Sequence, residues 1–111
     1  MQYLKPEEPF YQISQVAKLV GISADRLRTY EEEGLIKPYR KGNSDSNRRL
    51  FSQNDIDFII IIRQLIKLGV TIPSIRIFLV SELKINTEHL SPKDIEIIEL
   101  INKLKLFKNS H

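Results

Sequence analysis

Residues 11–52 read YQISQVAKLVGISADRLRTYEEEGLIKPYRKGNSDSNRRLFS, and the spacing of their apolar and turn residues decides the fold class. Ile13, Val16, Ala17 and Val20 recur at helical spacing and stop at Gly21, a residue suited to the left-handed turn that ends a helix. The pattern predicts a first helix over about 14–20, with Ser14 as its N-cap. Ser23 opens a second segment, which carries Leu27 and Tyr30 on one side and Arg26 and Arg28 at other angles. It should end near Glu33, because Gly34 follows. Two short helices joined by a tight glycine-containing turn form the helix-turn-helix pattern, whose second helix can lie in a DNA major groove.

A basic hairpin follows. Leu35 and Ile36 should point into a core, and Pro38 marks an edge strand rather than a central one. The tip, 42–47, consists of turn formers. The return strand is 48–51, in which alternation sends Arg49 and Leu50 to opposite sides. Between residues 34 and 52 the cations are Lys37, Arg40, Lys41, Arg48 and Arg49, against a single acid, Asp45. Charge of one sign on a segment too polar to form a core, beside a helix-turn-helix, is best matched to phosphate.

The rest of the composition narrows the classes. A chain of 111 residues with 41% hydrophobic content can build one compact domain with a short appended helix. A net charge of +3 is only mildly basic, so the clustering in the hairpin is more telling than the total. With no cysteine there is no disulfide, thiolate metal site or cysteine redox sensor. His89 and His111 are far apart in sequence, so no metal site and no cofactor are expected. The N-terminus lacks the apolar run and cleavage site of a signal peptide. The apolar run 58–62 is cut by Arg63, far short of the roughly 20 residues a bilayer needs. The expectation is a cytoplasmic protein without a membrane partner. No paired carboxylate, nucleophile–base or phosphate-loop signature suggests an enzyme.

Downstream, Ser52-Gln53-Asn54-Asp55 reads as a capping box with Asp in place of Glu. Propensity alone would make Ile59-Ile60-Ile61-Ile62 a strand. The cap before it, the continuation through Leu65, Ile66 and Leu68, and the stop at Gly69 make it a helix. So apolar a helix needs cover on more than one face: one can rest on the helix-turn-helix, and the other is a candidate dimer surface. A further helix runs from about Ile72 to Glu82 behind Thr71. Ser91-Pro92-Lys93-Asp94 starts a last helix in which Ile97, Leu100, Leu104 and Phe107 repeat at a/d spacing, widened by Ile98 and Ile101. About two heptads are too few to stand alone, so this stripe must pack on something. The expected organisation is a flexible lead-in over 1–10, a DNA-binding domain over 11–82, a connector over 83–90 and a C-terminal helix over 91–108.

Taken in order, these pieces resemble the DNA-binding domain of the mercury-resistance-regulator (MerR) family of bacterial transcription factors. They are Ile13-Ser14-Gln15-Val16-Ala17, Gly21-Ile22-Ser23, Leu27-Arg28-Thr29-Tyr30-Glu31, Gly34-Leu35-Ile36-Lys37-Pro38, Arg40, and Asn47-Arg48-Arg49-Leu50-Phe51-Ser52. The resemblance covers residues 11–81, nearly two-thirds of the chain, and lies in order and spacing rather than in any single piece. The wing motif is most similar to that of short repressors of the nitrogen-metabolism and heat-shock type. The resemblance implies a mostly α fold with a small β-hairpin wing: a winged helix-turn-helix, a helix pair, and a C-terminal helix that pairs antiparallel across a homodimer. It also implies DNA contacts from Arg28 and Tyr30, and a backbone grip from Arg49. With the other polar residues of the same elements, the candidate DNA-binding set is Ser14, Ser23, Asp25, Arg26, Arg28, Tyr30, Arg40, Lys41, Arg48 and Arg49. The candidate dimerisation set is Ile97, Leu100, Ile101, Leu104 and Phe107. Arg26 stands where the family often has Thr and could add a base contact; Phe51 stands where Tyr is common, so a hydroxyl contact there is lost.

Plainer readings stand beside these. Arg28 could pair with Glu31 or Glu32 on its own helix, Tyr30 could be core, and Arg48 and Arg49 could protect a sheet edge. Glu31, Glu32 and Glu33 read as a solvated face. The functional expectation is a dimeric regulator of transcription on a near-palindromic operator, with repression favoured over activation. Its signal would arrive through a regulatory partner protein, a small pocket at the dimer interface, or protein abundance. The alternative is an excisionase-like architectural protein that bends DNA.

Overall fold

The computed structural model describes residues 4–41, 48–81 and 88–109. Its elements are β1 (Tyr11–Gln12), α1 (Ile13–Val20), α2 (Ala24–Glu32), β2 (Tyr39–Lys41), β3 (Arg48–Phe51), α3 (Gln53–Lys67), α4 (Ile72–Val80) and α5 (Pro92–Asn109). The mostly α class with a small antiparallel sheet therefore stands. The wing tip at 42–47 and the greater part of the connector lie outside the described residues. The chain divides within α3 into two compact units, Met1–Ile59 and Ile60–His111.

In the first unit each local boundary has a chemical cause. Gly21 takes φ 80°, and its N–H and that of Ile22 both donate to the Ala17 carbonyl, closing α1. The Ser23 hydroxyl accepts from the Arg26 N–H at 3.1 Å and starts α2. Gly34, also at φ 80°, ends it, with Leu35 N–H donating to the Tyr30 carbonyl at 2.9 Å. Ser14 is not the cap of α1. Gln12 holds that position in extended conformation because it is still paired in β1, and its N–H donates to Gln15 Oε1 at 2.8 Å.

β1 was not legible as a strand. It pairs antiparallel with β3 (Tyr11 with Phe51, Gln12 with Leu50), and β2 pairs on the other side of β3, giving the order β1-β3-β2. Pro38 thus precedes an edge strand, as its missing N–H requires. Two backbone hydrogen bonds link described residues of the lead-in to the unit: Phe10 N–H donates to the Phe51 carbonyl, and Asn54 N–H to that of Pro6, each at 3.0 Å. The Phe10 and Tyr11 rings meet edge to face at 5.1 Å. α1 packs on α2, β1 and β3, and the core of the unit is Val16, Val20, Leu27, Tyr30, Leu35, Phe51, Ile56 and Ile59. Leu35 is buried as expected, whereas Ile36 is only half-buried.

The capping box of α3 is formed in both directions, Asp55 N–H to Ser52 Oγ at 3.1 Å and Ser52 N–H to Asp55 Oδ2 at 2.9 Å. The isoleucine run is helical. Ile59, Ile61 and Ile62 are buried, and only Ile60 is partly exposed, so burial outweighs β propensity.

The second unit comprises residues 60–67 of α3 with α4 and α5. Thr71 caps α4, its hydroxyl accepting from Ser74 N–H. Ser91 and Asp94 cap α5 reciprocally at 3.0 and 3.1 Å. α5 packs on α4, and Lys105 Nζ donates to the Ser81 carbonyl at the end of α4 at 2.6 Å. Ile61, Ile62, Leu65, Ile75, Leu100, Ile101 and Leu104 form the core.

Candidate nucleic-acid interface

Apart from Ser14 in α1 and Ser23 at the cap of α2, the candidate residues lie on α2, β2 and β3, and all are in the first unit. Arg26 is exposed, and no side-chain ion pair holds it among the described residues. Arg28 donates to Asp25 Oδ1 at 2.6 Å, one turn back, rather than to Glu31 or Glu32. Asp25 is 92% exposed, so this pair is worth at most about 1 kcal/mol and gives way readily to a competing anion. Ser14 is exposed in the first turn of α1, and Ser23 uses its hydroxyl as the α2 cap.

Tyr30 is core. It is 1% exposed, and its hydroxyl is buried with no hydrogen-bond partner among the described residues. An unsatisfied buried hydroxyl costs about 1–3 kcal/mol. Tyr30→Phe should therefore keep stability or raise it by about 1 kcal/mol in thermal unfolding; a clear loss would show that the hydroxyl has a partner.

In the sheet, Arg40 and Arg49 are directly opposed across β2 and β3, an arrangement of like charges that disfavours pairing. Glu31 resolves it. Arg40 Nη2 donates to both carboxylate oxygens at 2.8 and 2.9 Å, and Arg49 Nε donates to Glu31 Oε1 at 2.7 Å. Glu31 is therefore not part of a solvated face; its side chain is 19% exposed, against 24% for Arg49 and 38% for Arg40. Phe51 explains the direction. It is the buried residue of β3, and alternation puts Arg49 on its side of the sheet. Arg48 is exposed on the other side and is paired in register with Lys41.

Partial burial raises the Glu31 pKa, but hydrogen bonds from Arg49 and Arg40, with their positive charges, outweigh it and hold the group below its ordinary 4.5. A depressed carboxylate pKa stabilises the fold fully above the unfolded value and loses that contribution as pH falls through the folded one. Wild type should therefore exceed Glu31→Gln in stability at pH 6, with the margin closing as pH drops below 4.5. Urea titrations at both pH values check this, and a margin independent of pH would contradict it.

Sequence reasoning left Glu31 on a solvated face and missed this bridge to Arg40 and Arg49. The signal was there: two wing arginines on one sheet need an acceptor, and α2 ends in acids. Among the described residues no group of His, Asp and Glu could hold a metal ion. An open groove of about 440 Å³ in the second unit carries Lys67, Lys103, Glu96 and Glu99, a mixed lining without a dominant sign. Of the expected dimerisation set, Leu100, Ile101 and Leu104 are buried, and Ile97 and Phe107 are half-buried.

Comparison with known proteins agrees with this architecture. The chain is 38% identical over 68 residues to the HTH-type transcriptional regulator GlnR of Bacillus anthracis, covering 61% of this chain and 50% of that protein. It is 33% identical over 100 residues to an uncharacterized HTH-type transcriptional regulator, YyaN, of Bacillus subtilis (strain 168), covering 84% and 71%. The chain thus spans about half the length of the GlnR relatives it matches. A crystal structure of HiNmlR, a MerR family regulator lacking the sensor domain, bound to promoter DNA, shares the fold with a TM-score of 0.54 and 23% identity, over 90% of this chain and 70% of that one. The family described as MerR HTH family regulatory protein matches residues 11–82. This chain belongs to the MerR family.

Proposed function

We propose that the chain is a sequence-specific double-stranded DNA-binding regulator of transcription, acting as a homodimer on a near-palindromic operator and more suited to repression than to activation. One observation carries this reading: the exposed Arg26 and weakly held Arg28 near the start of α2 stand on the helix whose far end, at Glu31, is fastened to the wing arginines. A helix offering guanidinium groups at its N-terminal end, beside a basic wing, suits major-groove reading with backbone support. Two relatives named as transcriptional regulators, and a neighbour solved on promoter DNA, support the same reading.

The dimer rests on α5. Ile95 and Leu106 are exposed and lie eleven residues apart, so they share one face of the helix. They form the exposed apolar strip of α5 offered to a second copy, whereas the half-buried Ile97 and Phe107 lie on the side of the helix that carries Leu100, Ile101 and Leu104.

Selection from a random duplex library tests the reading. Enrichment of one inverted repeat with fixed half-site spacing is expected. A single unrepeated half-site would remove the dimer, and no enriched motif would remove sequence-specific reading.

A further inference from the structure

Glu31 is placed to do more than neutralise charge. It sits on α2 and reaches two strands at once, Arg40 nine residues ahead and Arg49 eighteen ahead. β2 is an edge strand of three residues, and nothing in its length fixes its angle to α2. The three-group bridge fixes it, because two guanidinium planes and one carboxylate leave little rotational freedom. The bonds occupy Nη2 of Arg40 and Nε of Arg49, and a guanidinium carries five N–H donors in all, so each arginine has more to offer than Glu31 takes.

We infer that Glu31 is a positioning residue for DNA binding, which locks the wing to α2 and sets Arg40 and Arg49 side by side as paired donors for the phosphate backbone. The inference rests on the DNA-binding reading above. It makes a prediction of unusual sign. Simple electrostatics says that removing an acid beside two arginines tightens binding to any duplex. A positioning role says that binding to the chosen site weakens, because the arginines must then be ordered at the moment of binding.

The test is duplex binding by wild type and the near-isosteric Glu31→Gln, on a selected site and on an unselected duplex, across a salt series. Circular dichroism confirms that the variants are folded. Expected is a loss of about tenfold on the selected site, with affinity for the unselected duplex equal to wild type or higher. A background of Arg40→Ala with Arg49→Ala supplies a second readout: there Glu31→Gln should have no further effect, since Glu31 acts through those two side chains. Selected-site binding by Glu31→Gln equal to or tighter than wild type would overturn the inference while leaving the DNA-binding reading intact. So would an unreduced effect of Glu31→Gln in the doubly substituted background. Wild type without salt-sensitive binding to either duplex would overturn both.

Discussion

Phe51→Ala should destabilise the protein by about 3–5 kcal/mol, the usual cost of truncating a buried aromatic side chain. The ring is 1% exposed in β3, and that strand is the centre of the sheet, with β1 on one side and β2 on the other. α1 packs on the same strand. Loss of the ring leaves a cavity beneath the one strand that both others need, so the wing should lose order along with the stability. Urea denaturation of wild type and variant measures the difference. A loss below about 1 kcal/mol would mean that Phe51 does not anchor the sheet.

Leu104→Ala should cost about 2–5 kcal/mol, and Leu104→Glu should unfold its unit outright, because a carboxylate would replace a side chain with no solvent exposure. This differs from what the a/d spacing alone suggests, namely a residue facing a second copy. The discriminating measurement is unfolding as a function of protein concentration. A side chain buried in its own unit gives Leu104→Ala the same deficit at low and at high concentration. A deficit that appears only where copies associate would return Leu104 to an intermolecular surface.

The contrast between α3 and α5 shows what a sequence carries and what it does not. Caps at Ser23, Ser52, Thr71 and Ser91 were legible because a hydroxyl and the backbone N–H it accepts from lie within one turn of chain. The glycines at 21, 34 and 69 were legible because positive φ is cheap for glycine. The helical state of the isoleucine run followed from such local punctuation despite its β propensity. β1 was illegible because two residues carry no period, and its identity as a strand depends on Leu50 and Phe51 nearly forty residues away. Periodicity gave the apolar face of α5 but not its partner, since a stripe of leucine and isoleucine fits its own α4 as well as another chain.

The candidate interface divides in the same way. Helix-turn-helix spacing and the basic hairpin brought Arg26, Arg28, Arg40, Arg48 and Arg49 into view. Strand alternation correctly put Arg48 and Arg49 on opposite faces, but only the burial of Phe51 shows which of them turns toward α2. The role of Glu31 depends on contacts that no local pattern encodes.

Duplex affinity measured against salt, for a selected site and for an unselected duplex of equal length, tests the central claim most directly. The account predicts a falling log–log dependence on salt for both, with the selected site bound at least about a thousandfold more tightly at physiological salt. Equal affinity for the two duplexes at every salt concentration would contradict it.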